Sequence, residues 1–151
     1  MFYLGIDVAL STHRLVILDA DGERVSSGIS FQNNTVDFEK VLIKLKELSI
    51  NPDNSICGLE ATGSNWENLY CFLTGNKFKT ILLNPHQTNK FREALRKKAK
   101  TDDIDAFVIA GLLRSGEFAS SYVPEDKIQT LRELTKLRYE FIKDRKNYQR
   151  Q

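Results

Sequence analysis

Cysteine and proline are scarce in this chain of 151 residues, which has two cysteines and three prolines. Cys57 and Cys71 are not at the C-x-x-C spacing of metal or redox sites, and both lie in apolar stretches. We therefore predict buried free thiols, which argues against a disulfide framework or a zinc site. Free thiols are typical of reducing compartments, so the expected location is the cytoplasm.

Long apolar runs are also absent, since none approaches the roughly 18 residues that a membrane-spanning helix needs. The N-terminal segment MFYLGIDVAL lacks a basic region and includes Asp7, which argues against a signal peptide. A hydrophobic content of 41% with 28% charged residues is typical of a globular protein and argues against disorder. We expect a protein with no membrane partner that folds around one core.

The net charge is only +2, but the charges are unevenly distributed. Residues 1–60 hold five Lys/Arg and nine Asp/Glu, whereas residues 61–151 hold seventeen and eleven. A basic run with Glu93 as its one acid is commonly a solvated helical face, but here it adjoins an aspartate cluster, which favours a polyanion partner. The residues predicted to bind nucleic acid are Lys90, Arg92, Arg96, Lys97, Lys98 and Lys100.

Hydrophobic periodicity predicts the element order β-β-β-α-β-α-β-α. Three sequential strands, the second and third joined at the Asp21-Gly22 turn, indicate an antiparallel meander. Later strands separated by helices need parallel crossovers, so the sheet should be mixed. Strands are expected at 2–10, within 13–31, at 55–61 and at 78–84, and helices at 35–48 with Thr35 as N-cap, at 65–75 and at 102–114. This layout is the ribonuclease H-like α/β fold, a mixed sheet of three antiparallel strands followed by parallel strands and flanked by helices.

The last two predicted helices have different character. The helix at 102–114 should bury one stripe, formed by Ile104, Phe107, Val108, Gly111 and Leu112. A long helix at about 125–150 turns polar and basic and stops without a capping signal, so we expect a fragment of a longer protein. The predicted division is a catalytic domain at 1–120 and, at 121–151, the start of a coiled coil through which copies of the chain associate.

Asp7 and Glu60 are acids at the ends of predicted apolar strands. Alternation puts Asp7 on the face opposite Leu4, Ile6 and Val8, and an acid in a central strand needs a compensating partner. Glu60 ends the run SICGL, and functional groups gather at the carboxyl ends of parallel strands. Each acid alone has a simpler explanation, in backbone hydrogen bonds or in the frequency of strand-end glutamates. On neighbouring strands the two together would indicate a site.

Asp102 and Asp105 are three residues apart, so a helix places both on one face, whereas Asp103 is rotated by about 100° and points elsewhere. An N-cap at Thr101 with acids in the first turn is the simpler explanation and accounts for Asp102 and Asp103. It accounts less well for Asp105, because like charges on one helical face repel unless a cation lies between them.

Carboxylates converging from two strands and one helix would form an oxygen cage suited to Mg²⁺ or Mn²⁺. Two such ions about 3.5–4 Å apart can activate a nucleophile and stabilise the leaving oxygen of a phosphodiester. In this hypothesis Asp7 contacts both ions, Glu60 and Asp102 complete one ion each, and Asp105 supports the second ion or orients water. The neighbouring basic residues would hold the backbone of a nucleic acid.

Four segments, LGIDVAL, GLEATGS, LLNPHQT and AKTDDIDA, in this order resemble the N-terminal domain of DEDD-type insertion-sequence transposases. That group is related to Piv-type DNA invertases and includes the RNA-guided bridge recombinases. The resemblance covers essentially the whole chain, and its most distinctive part is the run from Lys100 to Ala106.

This resemblance implies a RuvC-like domain whose acidic tetrad is Asp7, Glu60, Asp102 and Asp105. In the family the tetrad binds divalent metal and takes part in breaking and rejoining DNA strands during excision and insertion of the element. Family members continue through a coiled coil into a transposase domain with a nucleophilic serine, which nothing in this chain matches. Bridge recombinases also contact a guide RNA, so DNA and a guide RNA are both candidate partners.

Two alternatives stay open on the sequence. The domain could be a non-catalytic module that binds nucleic acid and assembles subunits, with structural acids. It could also be a nuclease like a Holliday-junction resolvase, with the same fold and metal chemistry.

Overall fold

A computed structural model of the protein describes residues 1–95, 101–121 and 126–148. Within these ranges the chain forms five strands and five helices. The strands are β1 (Phe2–Asp7), β2 (Thr12–Leu18), β3 (Ile29–Gln32), β4 (Ser55–Glu60) and β5 (Lys79–Leu83). The helices are α1 (Thr35–Glu47), α2 (Glu67–Gly75), α3 (Pro85–Ala94), α4 (Asp102–Ser115) and α5 (Asp126–Tyr148).

The chain divides into two compact units, residues 1–121 and 122–151. All strands and the first four helices belong to the first unit, and α5 belongs to the second. On α5 the side chains of Leu134, Leu137, Tyr139 and Phe141 are exposed. No helix within the described ranges combines the length and the apolar character needed to cross a bilayer.

The sheet has the order β3-β2-β1-β4-β5. β1 and β2 pair antiparallel, as do β2 and β3, whereas β4 pairs parallel to both β1 and β5. This is the mixed sheet predicted from the element order. Because β1 is the middle strand and is covered on both sides, its residues Leu4 and Ile6 are each only 1% exposed.

The chain turns at the predicted Asp21-Gly22 position, since Leu18 pairs antiparallel with Arg24 across the turn, but β3 begins only at Ile29. The Asp19 carboxylate closes this turn by accepting from the backbone N–H groups of Asp21 at 3.0 Å and Glu23 at 2.9 Å. β1 also ends at Asp7 and not at residue 10. Beyond it the N–H of Ala9 donates to Nδ1 of the buried His13 at 3.2 Å, which turns the chain into β2.

Two local predictions were wrong. The N-cap of α1 is Asn34 and not Thr35, because the extended Asn34 presents its side-chain oxygen to the N–H of Asp37 at 2.9 Å. Cys57 is a buried free thiol on β4, where burial raises its pKa to about 12, but Cys71 is exposed on α2. The apolar residues around Cys71 in the sequence led to the prediction that it is buried, but it lies on the exposed face of the helix.

α4 packs across the centre of the sheet, and its buried face is wider than the predicted stripe. Ile104, Phe107 and Gly111 are only partly buried. Val108 and Leu112 are buried as predicted, and the buried face also includes Asp105, Ala106, Ile109, Ala110 and Leu113. Two alanines account for this difference, because they let α4 approach β1 at Gly5. A Cβ on Gly5 would lie 2.1 Å from the Ala106 carbonyl oxygen and 2.3 Å from the Ala110 nitrogen.

Candidate active site

Asp7 and Glu60 end two neighbouring parallel strands. Ile6 lies opposite Leu59 in the register of β1 and β4, so the next residue of each strand is one of the two acids. Alternation places Asp7 on the same face as Gly5, and Glu60 on the same face as Gly58. Both glycines face α4. The two carboxylates therefore lie side by side at the carboxyl edge of the sheet, on the face that α4 covers.

The first turn of α4 reaches the same edge. Arg14, which lies opposite Asp7, contacts Asp103 in the first turn of α4, whereas Arg114 at the end of α4 lies near Gly22, beyond the other end of β2. β1 and α4 therefore run in opposite directions, which brings the N-terminus of α4 toward Asp7. Two strands and one helix thus bring their acidic ends to one region of the molecule.

Thr101 caps this helix, as the simpler explanation of the aspartate cluster required. Its φ of −140° is extended, and its side-chain oxygen accepts from the N–H of Ile104 at 3.3 Å. The cap and the helix dipole favour carboxylates in the first turn. They do not explain why Asp105 is buried while Asp102 is exposed.

Asp105 is only 7% exposed, and its charge is matched by Arg92 of α3. The Arg92 Nη2 atom lies 2.5 Å from Asp105 Oδ1, and the two side chains are 15% and 10% exposed. Sequence reasoning placed Arg92 among the nucleic-acid contacts. In the structure its guanidinium group points into the protein and contacts one of the predicted metal ligands.

Glu60 also has a partner on α3. The hydroxyl of Thr88, which is fully buried, lies 2.8 Å from Glu60 Oε2 and 2.9 Å from the carbonyl oxygen of Pro85. A hydroxyl donates one proton, so it serves Glu60 or the backbone at any moment. Sequence reasoning missed Thr88. The available signal was its position in the segment LLNPHQT, four residues before Arg92 on the same helical face.

Asp103 points away from Asp105, as the 100° rotation per residue predicted. Its Oδ1 accepts from Arg14 Nη2 at 2.8 Å, and its Oδ2 lies 2.8 Å from Arg24 Nη2. Arg24, and then Arg14, hold the pKa of the Asp103 carboxyl below its ordinary value. Arg14 lies directly opposite Asp7 in the register of β1 and β2. Asp103 therefore ties the first turn of α4 to β2 and to the connection that follows it.

The predicted basic surface is described only in part. Lys90 is exposed on α3. The other four residues of the predicted contact, Arg96, Lys97, Lys98 and Lys100, lie outside the described residues, so their role stays a prediction.

The donor set fits a hard divalent cation, because carboxylate oxygens are the ligands that Mg²⁺ and Mn²⁺ prefer. The arrangement is less complete than the predicted cage. No group of three or more His, Cys, Asp or Glu side chains within the described ranges is placed to hold a metal ion. The structure brings together Asp7 and Glu60, directs the helix with Asp102 and Asp105 to the same edge, and engages Asp105 with Arg92.

Comparison with known proteins identifies the family. The model of the IS110-type DEDD transposases, described as Transposase, matches residues 4–151. This chain belongs to that family. A pilin gene-inverting protein of Moraxella bovis is 26% identical over 108 residues, which are 72% of this chain and 33% of that protein. An uncharacterized 44.8 kDa protein of insertion element IS116 from Streptomyces clavuligerus is 28% identical over 144 residues, which are 95% of this chain and 35% of that protein.

The chain thus spans about a third of the length of these curated relatives. Solved structures support the fold alone. RuvC of T. thermophilus, in complex with a Holliday junction substrate, has a TM-score of 0.55 at 13% identity and covers 80% of this chain and 99% of its own. The fowlpox virus Holliday junction resolvase has a TM-score of 0.50 at 15% identity, and the match covers 77% of this chain and 99% of the resolvase. The sheet and its helices are therefore RuvC-like, which confirms the ribonuclease H-like prediction.

Proposed function

We propose that this chain is the acidic catalytic domain of a DNA transposase or recombinase and that it supports metal-dependent cleavage and transfer of DNA strands during transposition of an insertion sequence. The observation that carries the proposal is the placement of Asp7 and Glu60 side by side beneath the acidic first turn of α4. Membership of a transposase family supplies the substrate class.

In this proposal Asp7, Glu60, Asp102 and Asp105 hold Mg²⁺ or Mn²⁺. A divalent ion at carboxylates supplies a nucleophile at neutral pH and charge stabilisation at a leaving phosphodiester oxygen. The protein's own contribution is placement. β1 and β4 hold two carboxylates on a rigid sheet, and the capped start of α4 presents the other two over that edge.

The partners follow from the charges beside the site. Lys90 is exposed on α3, and we propose that it contacts DNA phosphates together with Arg96, Lys97, Lys98 and Lys100. Exposed apolar side chains on α5 support association of copies through that helix, which would begin a coiled coil after a catalytic domain of residues 1–120. A guide RNA and a cytoplasmic location are further parts of the proposal and rest on the sequence.

Strand cleavage by the full-length protein tests this function. DNA carrying the ends of its element would be incubated with Mg²⁺ and wild-type protein, the Asp7→Asn variant or the Asp53→Asn variant. Asp53 is exposed in the turn before β4, at the opposite end of that strand from Glu60, so the same substitution there is a matched control. We expect Asp7→Asn to lose cleavage while its unfolding temperature stays near wild type, and Asp53→Asn to keep cleavage. Full activity of Asp7→Asn would contradict the proposal.

A module that binds nucleic acid without catalysis is the second candidate. It is favoured by the ion pair of Asp105 with Arg92 and by the incomplete grouping of acids within the described ranges. Binding of DNA that depends on salt but is the same with Mg²⁺ and with a chelator, and no cleavage in either, would favour this module.

A further inference from the structure

Arg92 differs from the other basic residue described on α3. Lys90 is exposed, as a residue that contacts a phosphate backbone should be. The Arg92 side chain is 15% exposed and lies on a carboxylate that is 10% exposed. A guanidinium group in this position cannot reach a nucleic acid without leaving its partner, and a buried carboxylate left unpaired is costly.

The helix that carries Arg92, α3, is itself fixed by contacts near its N-terminus. The side chain of Asn84 caps the helix by accepting from the N–H of His86 at 2.8 Å. Gln87 bonds the backbone of Ala119 twice, donating at 3.2 Å and accepting at 3.1 Å. The contact with Asp105 is therefore made from a fixed helix.

Phe91, next to Arg92, packs α3 against α4. Its ring packs against the cluster of Leu83, Ile109, Leu112 and Leu113. A Cβ added at Gly111 would lie 3.1 Å from the Phe91 ring, so the absence of a side chain there admits the aromatic group. The distance between Arg92 and Asp105 is thus set by the packing of two helices.

The charge that Arg92 supplies is of the sign that a metal would supply. Asp7, Glu60, Asp102 and Asp105 are like charges directed to one edge of the sheet, and like charges repel. Arg14 and Arg24 form ion pairs with Asp103 on another side of α4, and Arg14 lies opposite Asp7 in the register of β1 and β2. Arg92 reaches the most buried member of the tetrad.

We propose that Arg92 is an internal counter-cation that neutralises Asp105 and competes with a divalent ion for it. The inference rests on the proposed metal site. Two cations on one carboxylate repel, so binding of the ion and the contact of Arg92 with Asp105 oppose each other. Arg92 stabilises the acidic edge when no divalent ion is bound and raises the concentration of ion needed to fill the site.

Removal of the guanidinium group should therefore lower the stability of the metal-free protein and raise its affinity for Mn²⁺. Without divalent ions, Arg92→Gln should lower the unfolding temperature, because it removes a cation that contacts a buried carboxylate. With Mn²⁺, the same variant should bind the ion about tenfold more tightly, because a repelling charge near the site is gone. A purely structural arginine would give only the first effect.

The experiment is a Mn²⁺ titration of the chain followed by thermal unfolding, starting in chelator. The proteins are wild type, Arg92→Gln, Asp7→Asn and Lys90→Gln. Lys90→Gln removes one positive charge from the same helix at an exposed position and is the matched control for net charge. An ion that binds the folded state raises the midpoint according to its concentration relative to its Kd.

Half-maximal stabilisation of Arg92→Gln at about a tenth of the wild-type Mn²⁺ concentration, with Lys90→Gln near wild type, is the expected result. Equal or weaker binding by Arg92→Gln would overturn the inference. If wild type responds to Mn²⁺, Asp7→Asn does not, and Arg92→Gln gains nothing, the metal site stands and the counter-cation role falls. If no protein responds to Mn²⁺, both fall.

Two further measurements cover failure to fold and a role in DNA binding. If Arg92→Gln does not fold, Arg92→Met decides, because it also removes the positive charge but keeps an unbranched apolar stem. Tighter Mn²⁺ binding by Arg92→Met than by wild type supports the inference, and equal or weaker binding overturns it. In chelator, a loss of DNA affinity by Arg92→Gln equal to that of Lys90→Gln would assign Arg92 to the phosphates instead.

Discussion

Asp103 and Asp105 stand two positions apart on α4 and have different surroundings. Asp103 lies in a half-exposed network in which Arg14 and Arg24 approach from β2 and from the connection after it. Asp105 is buried and contacts Arg92 of α3. The first turn of α4 is thus held between two basic groups on different sides. Asp102 lies on the helix surface between these two sides and is exposed to solvent.

This comparison shows that the acidic run combines two functions that sequence composition does not separate. Asp103 fixes the helix by contacts that solvent partly screens. Asp105 lies where a charge must be matched, by arginine or by a metal ion.

The largest effect is expected from Gly5→Ala, which would disturb both acids at once. Its Cβ would meet backbone atoms of Ala106 and Ala110, so α4 must move away from β1. We expect a loss of about 3 kcal/mol in the free energy of unfolding. Urea denaturation of Gly5→Ala and of Gly75→Ala checks this, because a Cβ at Gly75 meets nothing within 4 Å. Equal stability of the two variants would contradict the close packing of α4.

Breaking the buried pair should have the next largest effect. Arg92→Met should cost about 3 kcal/mol, because it removes the cation that contacts the buried Asp105 carboxylate. The double variant Arg92→Met with Asp105→Leu should recover much of that loss, since neither charge remains. Urea denaturation of the two single variants and the double variant gives the coupling energy. Additive losses would show that the two side chains do not act as a pair.

Asp103→Asn should cost less, about 1 kcal/mol at neutral pH, because its ion pairs are partly exposed and screened. The pKa of Asp103 in the folded protein lies below the ordinary value of 3.8. A lowered pKa means that the stabilisation is complete above the unfolded value and is lost as the pH falls through the folded value. The difference between wild type and variant should therefore be present at pH 7 and shrink below about pH 4. A difference that stays constant with pH would contradict the ionic origin.

Thr88→Val should have the smallest effect on folding, about 0.5 kcal/mol, because it replaces a hydroxyl by a methyl group of similar size. The hydrogen bond to Glu60 is lost, so we expect weaker Mn²⁺ binding in a calorimetric titration. Thr88→Ser, which keeps the hydroxyl, should restore binding. Equal Mn²⁺ affinity in all three proteins would show that Thr88 does not position Glu60.

The mixed sheet could be predicted because its strands depend on local signals. Alternation identified β1 and β4, and two acids at strand ends must meet if those strands pair in parallel. The partners of the acids could not be predicted in the same way. Arg92 belongs to a basic run that looks solvated, and its direction depends on Phe91 packing at Gly111 of another helix. The pairing of Asp103 with Arg14 and Arg24 likewise joins residues far apart in the chain, which hydrophobic periodicity does not reveal.

Anomalous diffraction from crystals of this chain grown with Mn²⁺ tests the central claim most directly, because it locates the ion itself. We predict an anomalous peak at the carboxyl ends of β1 and β4, bound by Asp7 and by at least one other member of the tetrad, and no peak there in Asp7→Asn. A peak confined to other sites, or no peak in wild type at saturating Mn²⁺, would contradict the assignment of these acids as a metal site.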